Sequence, residues 1–145
     1  MGVKSVKQIL DAKGYTLHSI APDVSVYEAL RKMAGNEIGA LVVLDGAELT
    51  GIISERHYAR KVILEGRHSK ETLVSEIMSP SVICVTSAMR VDACMSLMTD
   101  KRVRHLVVRD AERLSGVVSI GDVVKAIIDD QEFTIEQLKH YITGG

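Results

Sequence analysis

The order of apolar and polar residues predicts the same series of secondary-structure elements twice along this chain. The runs TLHSI, at residues 16–20, and SVICV, at residues 81–85, are rich in β-prone side chains and indicate short strands. After each run, apolar residues recur three or four positions apart, which is the spacing of one face of an amphipathic helix. These residues are Val26, Ala29, Leu30 and Met33 in the first copy and Val91, Cys94, Met95 and Met98 in the second.

A predicted hairpin and a second helix complete each copy. The segments GALVVLDGAELTGII, at residues 39–53, and RHLVVRDAERLSGVV, at residues 104–118, each hold two β-prone runs around a short polar turn. Asp45 and Gly46 form an Asp-Gly pair, which favours a tight hairpin turn. The closing helix is clearest in the second copy, where these apolar residues follow helical spacing: Ile120, Val123, Val124, Ile127 and Ile128.

The two copies align without a gap when Ile20 is paired with Val85. In this alignment residues 20–62 pair with residues 85–127, and nine of these 43 pairs are identical. Conservative pairs, such as Ile52 with Val117 and Thr50 with Ser115, strengthen the match. An internal duplication of a strand, helix, strand, strand, helix unit explains this spacing best.

The elements outside the duplication complete the predicted architecture. Residues 4–13 have the pattern of a helix that ends at Gly14, and residues 134–142 have the pattern of a further helix. We predict an α+β fold in which residues 1–72 hold the first β-α-β-β-α repeat with the N-terminal helix. Residues 73–145 hold the second repeat with the C-terminal helix. A unit of about 45 residues is too small to be stable alone, so we expect the repeats to pack about a pseudo-twofold axis.

Composition and charge narrow the classes of function. The chain has 145 residues, of which 46% are hydrophobic, and its net charge of -1 supplies no general attraction for nucleic acid or a membrane surface. Aromatic residues make up only 3%, which leaves little for stacking on single-stranded bases. Cys84 and Cys94 lack metal-ligand spacing, and the first residues show no signal or transit pattern. We therefore expect a cytoplasmic protein without a metal, nucleic-acid or membrane partner.

Candidate chemistry lies where each hairpin passes into its closing helix. The second copy reads GVVSIGD, at residues 116–122, and the first reads GIISERH, at residues 51–57. Ser119 lies where a hydroxyl caps a helix, and the free N–H groups of a helix start favour a phosphate. Asp122 offers two carboxylate oxygens that can accept hydrogen bonds from both hydroxyls of a ribose. The same S-x-x-D spacing is also that of a capping box, in which the aspartate bonds back to the serine backbone.

This series of elements, with the motif G-h-h-S-x-x-D before the last helix, resembles the cystathionine-β-synthase (CBS) domain. The chain is similar to a tandem CBS pair, or Bateman module, over nearly its whole length, and to the small stand-alone CBS-pair proteins of bacteria. The resemblance implies that adenosine-containing ligands, such as AMP, ADP, ATP, NAD(H) or S-adenosylmethionine, bind in clefts between the two repeats. It also implies a regulatory role, a homodimer, and no catalytic residue or catalytic cofactor.

The resemblance assigns ligand contacts in both copies. It places Arg104 and His105 near the phosphates, and arginine suits this because its planar guanidinium can hold two phosphate oxygens. An exposed strand end is the alternative for the same two residues. The second-copy set is Ile83, Cys84, Arg104, His105, Val118, Ser119 and Asp122, and the weaker first-copy set is Thr16, His18, Gly39, Ala40, Ser54, Arg56, His57 and Lys61.

The first copy departs from the family motif at its last residue. His57 stands where the motif has aspartate, and a neutral imidazole offers one acceptor where a carboxylate offers two oxygens. Since His57 follows Arg56 near a helix start, we expect the imidazole to stay neutral. We therefore predict two unequal clefts, of which the one at Ser119 and Asp122 binds more tightly.

Three classes of function stay open at this point. The leading one is a sensor that binds an adenine nucleotide or NAD(H) and modulates a partner protein that the sequence does not name. The second is a scaffold, or a regulator of redox partners, that depends little on a ligand. The third, a nucleotide-processing enzyme, is disfavoured because the sequence shows no phosphate-binding glycine loop, no metal-ligand cluster and no nucleophile paired with a base.

Overall fold

The helices and strands follow the predicted order in both repeats. The computed structural model describes residues 4–143, and of Tyr141 and Thr143 only the backbone. The helices are α1 (Val6–Lys13), α2 (Val26–Gly35), α3 (Glu55–Tyr58), α4 (Val74–Ile77), α5 (Val91–Lys101) and α6 (Ile120–Thr143). The strands are β1 (Ser19–Ile20), β2 (Ala40–Asp45), β3 (Glu48–Ser54), β4 (Cys84–Val85), β5 (His105–Asp110) and β6 (Arg113–Ser119).

The chain forms two compact units. The first-repeat unit is Leu17–Val82, and the second-repeat unit joins the segment that ends at Thr16 to the segment that begins at Ile83. Each unit has one three-stranded sheet, in which a short first strand lies parallel to the middle strand and the middle strand lies antiparallel to the third. The predicted α+β fold with two β-α-β-β-α repeats is confirmed.

The first-repeat unit packs α2 and the segment after β3 against the sheet β1-β2-β3. The Ser25 side chain caps α2 by accepting a hydrogen bond from the N–H of Glu28 at 3.2 Å. The apolar stripe of α2 and the inward face of the sheet share one core. Its buried residues are Val26, Ala29, Met33, Leu41, Val43, Ile53, Val62, Val74 and Ile77.

The second-repeat unit repeats this arrangement with the sheet β4-β5-β6. In its hairpin His105 lies opposite Ser119, just as Ala40 lies opposite Ser54 in the first-repeat hairpin. Both hairpins also shift register at the same place along the middle strand. The core residues are Val6, Ile9, Leu10, Val85, Val91, Cys94, Met98, Leu106, Val108, Val118, Val123 and Ala126.

The segment that leads into each repeat packs in the unit of the other repeat. α1 leads into the first repeat, yet Val6 and Leu10 are buried in the second-repeat core. α4 leads into the second repeat, yet Val74 and Ile77 are buried in the first-repeat core. The compact units therefore divide the chain differently from the predicted boundary after residue 72, which placed the N-terminal helix with the first repeat.

α1 and α4 hold corresponding positions in their units. Ser5, before α1, forms a bridge with Arg90, and Leu73, before α4, forms a bridge with Ser25. Three pairs of backbone hydrogen bonds, all 2.8–2.9 Å long, also correspond between the units. The bond from Val6 N–H to Met89 O corresponds to that from Val74 N–H to Val24 O, and the bond from Lys7 N–H to Ser87 O corresponds to that from Ser75 N–H to Pro22 O. The bond from Val91 N–H to Lys4 O corresponds to that from Val26 N–H to Thr72 O.

This correspondence is present in the sequence when α1 is aligned with α4. The pairs Val6 with Val74 and Ile9 with Ile77 are then identical, and Leu10 aligns with Met78. The alignment that pairs Ile20 with Val85 has a slightly smaller offset and does not match these segments. The duplicated unit is therefore longer than the sequence comparison indicated.

Two helices differ from their predicted form. The last two predicted helices are one helix, α6, of 24 residues. No glycine or proline lies between residues 122 and 143, so no residue there breaks the helix. The predicted closing helix of the first copy starts as α3 and continues as a π-helical turn at Ala59–Ile63, in which the Val62 side chain is fully buried.

Candidate functional site

The second-repeat site lies where β6 passes into α6. Ser119 is the last residue of β6, and Asp122 lies in the first turn of α6. The N–H of Ser119 donates to Oδ2 of Asp122 at 2.9 Å, and the N–H of Asp122 donates to Oγ of Ser119 at 3.1 Å. These reciprocal bonds form a capping box, which is the structural alternative that the sequence left open.

Lys13, the last residue of α1, forms an ion pair with Asp122. Its Nζ lies 2.7 Å from Oδ2 of Asp122 and also donates to the carbonyl oxygen of Val117 at 3.0 Å. The side chains of Lys13 and Asp122 are 39% and 24% exposed. One carboxylate oxygen, Oδ2, therefore accepts from both the Ser119 amide and the Lys13 ammonium.

The charge state of Asp122 follows from these contacts. Burial raises the pKa of Asp122, but the hydrogen bonds from Lys13 and from the Ser119 amide outweigh burial and hold the pKa below its ordinary value. The carboxylate is therefore ionised at neutral pH and can accept hydrogen bonds from a ligand.

A groove between α1 and α6 opens onto this ion pair. Its volume is about 170 Å³, and its lining includes Lys13, Asp122 and Asp129. Pockets that enclose small-molecule ligands usually have about 300–1,000 Å³. This groove is therefore smaller than the pockets that usually enclose a small-molecule ligand.

The β5–β6 hairpin brings two further predicted residues to the same corner. His105 lies opposite Ser119 across the antiparallel pair, and the N–H of Ile120 donates to the carbonyl oxygen of Arg104 at 2.8 Å. This bond fixes the backbone of Arg104 beside the start of α6. The Arg104 side chain is exposed, and His105 is half-buried.

The remaining predicted residues of the second copy are Ile83, Cys84 and Val118. The carbonyl oxygen of Ile83 accepts from the N–H of Val107 at 2.9 Å, and Cys84 is exposed next to the middle strand β5. The side chain of Val118 is fully buried in the second-repeat core, so only its backbone is available to a ligand.

In the first repeat, His57 takes the position of the carboxylate in a second capping box. The N–H of Ser54 donates to Nδ1 of His57 at 3.0 Å, and the N–H of His57 donates to Oγ of Ser54 at 3.4 Å. Because Nδ1 accepts a backbone N–H, the proton of the neutral ring lies on Nε2. The lone acceptor of the imidazole is therefore already in use.

Positive charge surrounds His57. Burial lowers its pKa most, and Lys61, Arg56 and Arg60 lower it further. The imidazole is therefore neutral at neutral pH, as the sequence predicts, although burial has a larger effect than Arg56. Lys61 also donates to the carbonyl oxygen of Ile77 at 3.3 Å.

Two more first-copy residues lie at this corner. The N–H of Glu55 donates to the carbonyl oxygen of Gly39 at 3.1 Å, and Ala40 lies opposite Ser54 in the hairpin. The hairpin therefore brings Gly39 and Ala40 to the corner that holds Ser54 and His57.

The other two predicted residues precede the first strand. The carbonyl oxygen of His18 accepts from the N–H of Val42 at 3.2 Å, which corresponds to the bond between Ile83 and Val107. Thr16 is exposed in the segment after α1, which belongs to the second-repeat unit.

Lys13 is the contact of this site that the sequence interpretation missed. Its partner Asp122 is 109 residues later in the sequence, so no local sequence pattern links the two residues. The signal that could have revealed the link is the similarity of residues 6–10 to residues 74–78, because it shows that α1 is part of a repeat.

The comparison with known families matches the CBS domain twice, at residues 7–63 and 74–129. The chain belongs to the CBS domain family. Both matches include the segment before the first strand, namely α1 and α4, as well as the hairpin and the corner that follows it. CBS-domain proteins are generally regulatory or sensor modules.

Individual CBS proteins resemble most of the chain. A mitochondrial CBS domain-containing protein of Arabidopsis thaliana is 44% identical over 128 residues, which cover 85% of this chain and 62% of the plant protein. A CBS-domain protein structure from Burkholderia ambifaria MC40-6 is 47% identical with a TM-score of 0.84, covering 88% of this chain and 96% of that one. A structure from Agrobacterium tumefaciens is 39% identical with a TM-score of 0.78, covering 84% of this chain and 97% of that one.

Within residues 4–143, no helix combines the length and the apolar character that crossing a membrane requires. In the same part of the chain, no group of histidine, cysteine or acidic side chains is placed to hold a metal ion.

Proposed function

We propose that this CBS pair is a regulatory module that binds an adenosine-containing ligand and modulates a partner protein. The ligand classes are AMP, ADP, ATP and NAD(H). In the second-repeat site, Asp122 accepts hydrogen bonds from the ribose hydroxyls, and Arg104 and His105 lie near the phosphates. No residue of the site is assigned a catalytic role.

The observation that carries this proposal is the corner formed by β5, β6 and α6. It places an ionised carboxylate at Asp122 near an exposed arginine whose backbone is bonded to the first residue of a long helix. Guanidinium groups and helix N-termini both favour phosphate oxygens, whereas a carboxylate favours hydroxyl donors. A ribonucleotide carries both kinds of group.

Calorimetry and thermal denaturation with AMP, ADP, ATP, NAD(H) and S-adenosylmethionine test the proposal. A ligand at about 100 times its dissociation constant stabilises the folded state by roughly 2.7 kcal/mol. Asp122→Ala weakens this binding by roughly 10- to 150-fold, which corresponds to about 1.5–3 kcal/mol for a hydrogen bond to a charged group. If no ligand of this set binds the unaltered protein, the proposal is wrong.

Glu136→Ala is the matched control. Glu136 lies on the same helix as Asp122 and also pairs with a lysine, since its Oε1 lies 3.5 Å from Nζ of Lys139, but it does not line the groove at Asp122. This variant keeps the ligand affinity. An equal loss of affinity in both variants would show a general effect of negative charge on α6 rather than a ribose contact.

A scaffold that needs no ligand is the second candidate, and one observation favours it. Ser119 and Asp122 already satisfy each other in the capping box, and Lys13 neutralises the carboxylate. In this case Asp122→Ala lowers the melting temperature, and no adenine ligand changes it.

We also propose a homodimer in a cytoplasmic setting. The closing helices of both repeats expose apolar side chains that a second copy can cover. These exposed residues are Ile63, Leu64, Ile120, Val124 and Ile128. The helix over residues 25–35 and its repeat equivalent also contribute to the proposed contact.

A further inference from the structure

Lys13 is held in place by the packing of α1. Val6 and Leu10 are 0% and 1% exposed in the second-repeat core, so the helix that carries Lys13 is fixed there. The helix ends at Lys13, where the N–H of Gly14 donates to the carbonyl oxygen of Leu10 at 2.7 Å. The backbone of Lys13 is thus anchored, and its flexible side chain alone makes the contact with Asp122.

The first repeat lacks both members of this ion pair. The alignment of α1 with α4 makes Ser81 the counterpart of Lys13, and the alignment of the two hairpins makes His57 the counterpart of Asp122. A hydroxyl and a neutral imidazole therefore replace an ammonium and a carboxylate. The lysine therefore occurs in the compact unit that contains the aspartate.

Lys13 and a ribose compete for the same carboxylate. The ammonium lies 2.7 Å from Oδ2 of Asp122. A ribose diol that donates to both carboxylate oxygens displaces the ammonium from Oδ2. Displacing the ammonium breaks the charge-assisted hydrogen bond that it makes with Oδ2 of Asp122, which costs free energy. A ligand that also carries a phosphate offers the flexible lysine a new anion, whereas a ligand with hydroxyls alone does not.

We propose that Lys13 is a specificity-determining residue of the second-repeat site, which makes the site select ribose ligands that carry phosphate. This inference rests on the proposed function and assigns to Lys13 the preference for phosphorylated adenine compounds. Adenosine and S-adenosylmethionine, which carry no phosphate, bind more weakly because they displace the ammonium without replacing its partner.

Calorimetry with AMP and adenosine on the unaltered protein and on Lys13→Met tests the proposal. Methionine keeps an unbranched side chain of similar length but carries no charge. Adenosine binds Lys13→Met more tightly than the unaltered protein, and AMP binds it no more tightly. The ratio of AMP to adenosine affinity therefore falls at least about tenfold, the scale of one charge-assisted contact.

Three further variants control the experiment. Lys13→Gln also removes the charge but keeps a donor for the carbonyl oxygen of Val117, so it serves if the methionine variant folds poorly. Lys13→Arg keeps the charge and the selectivity. Lys7→Met removes a lysine of the same helix that pairs with Asp11 instead, at 3.2 Å, and leaves the ratio unchanged.

The outcomes separate this inference from the proposed function. An unchanged affinity ratio in Lys13→Met and Lys13→Gln, with AMP still bound, overturns the role of Lys13 and leaves the proposed function standing. An equal fall of the ratio in Lys7→Met also overturns it, since the effect is then one of net charge. If neither of these ligands, nor ADP, ATP, NAD(H) or S-adenosylmethionine, binds the unaltered protein, the proposed function fails and the inference fails with it.

Discussion

The two capping boxes show how one residue changes the chemistry of the same backbone arrangement. Asp122 and His57 hold the same position relative to Ser119 and Ser54, and each accepts the serine N–H. The carboxylate keeps this acceptor until strongly acidic pH, because its pKa is lowered. An imidazole loses the acceptor when Nδ1 is protonated, so the first-repeat cap depends on pH in a milder range.

The free energy of unfolding falls as the pH drops below the ordinary histidine pKa of 6.5, because the pKa of His57 is lowered in the folded state, mainly by burial. The unfolded chain then binds the proton first, so the stability present above pH 6.5 is lost toward the lower folded-state pKa. His57→Gln removes this titration and keeps an N3 side chain suited to a capping box. Urea denaturation at about pH 7.5 and 5.5 measures the free energy of unfolding of both proteins. An equal loss of this free energy between the two pH values in both proteins would contradict the prediction.

The serine, aspartate and histidine of these corners were predictable from the sequence because each pair lies three residues apart. Lys13 was not, since a lysine at a helix end is usually exposed and its partner depends on how helices pack. The sequence also predicted the neutral state of His57, but it could not indicate that burial is the main cause.

At the scale of elements, the repeated glycine of the motif makes room for the segment that packs from the other repeat. A Cβ atom on Gly116 would lie 3.1 Å from Cδ2 of Leu10, and Gly116 has a φ of +155°. A Cβ atom on Gly51 would lie 2.8 Å from Sδ of Met78. Leu10 and Met78 are themselves counterparts, so the same contact occurs in both repeats.

Leu10→Ala lowers the free energy of unfolding by about 2–5 kcal/mol, because it leaves a cavity in the second-repeat core. Leu138→Ala is the control, since Leu138 is 55% exposed, and it changes stability little. Hydrogen exchange locates the effect: residues 105–119 lose protection in Leu10→Ala, whereas residues 40–54 keep it. Loss of protection confined to residues 40–54 would show that α1 packs on the first repeat instead.

Periodicity predicted the strands, the hairpins and most helices, because it depends on spacing alone. It could not assign α1 to the second repeat, since an apolar stripe shows that a helix is covered but not which core covers it. The sequence interpretation also divided α6 into two helices, over residues 120–128 and 134–142, although no helix-breaking residue lies between them.

At the scale of the whole molecule, the duplication and the CBS resemblance were both visible in the sequence, and the family match confirms them. The difference between the two sites lies in a few positions of an otherwise shared frame. One repeat holds an ion pair at its corner, and the other holds a neutral histidine among cations. A duplicated chain can thus keep two similar backbones and differ in the charge at corresponding positions.

Light scattering at micromolar concentration gives twice the monomer mass if the exposed apolar residues of the closing helices form a dimer contact. Ile128→Asp shifts the protein toward the monomer, because Ile128 is 47% exposed and a buried carboxylate opposes association. Ala47→Asp, in a hairpin turn whose second-repeat counterpart is Glu112, is the control and leaves the mass unchanged. A monomer mass for the unaltered protein would refute the dimer.

Because α1 precedes the first repeat but packs in the second-repeat unit, its position also affects the order of folding during synthesis. α1 leaves the ribosome before β6, on which it packs, and β6 follows about 100 residues later, which takes about 5–20 s at the usual rates of translation. The whole of the first-repeat unit, Leu17–Val82, is synthesised within that interval. The first repeat can therefore fold while Val6, Ile9 and Leu10 still lack their partners, and in the nascent chain this apolar face is a surface that chaperones can bind.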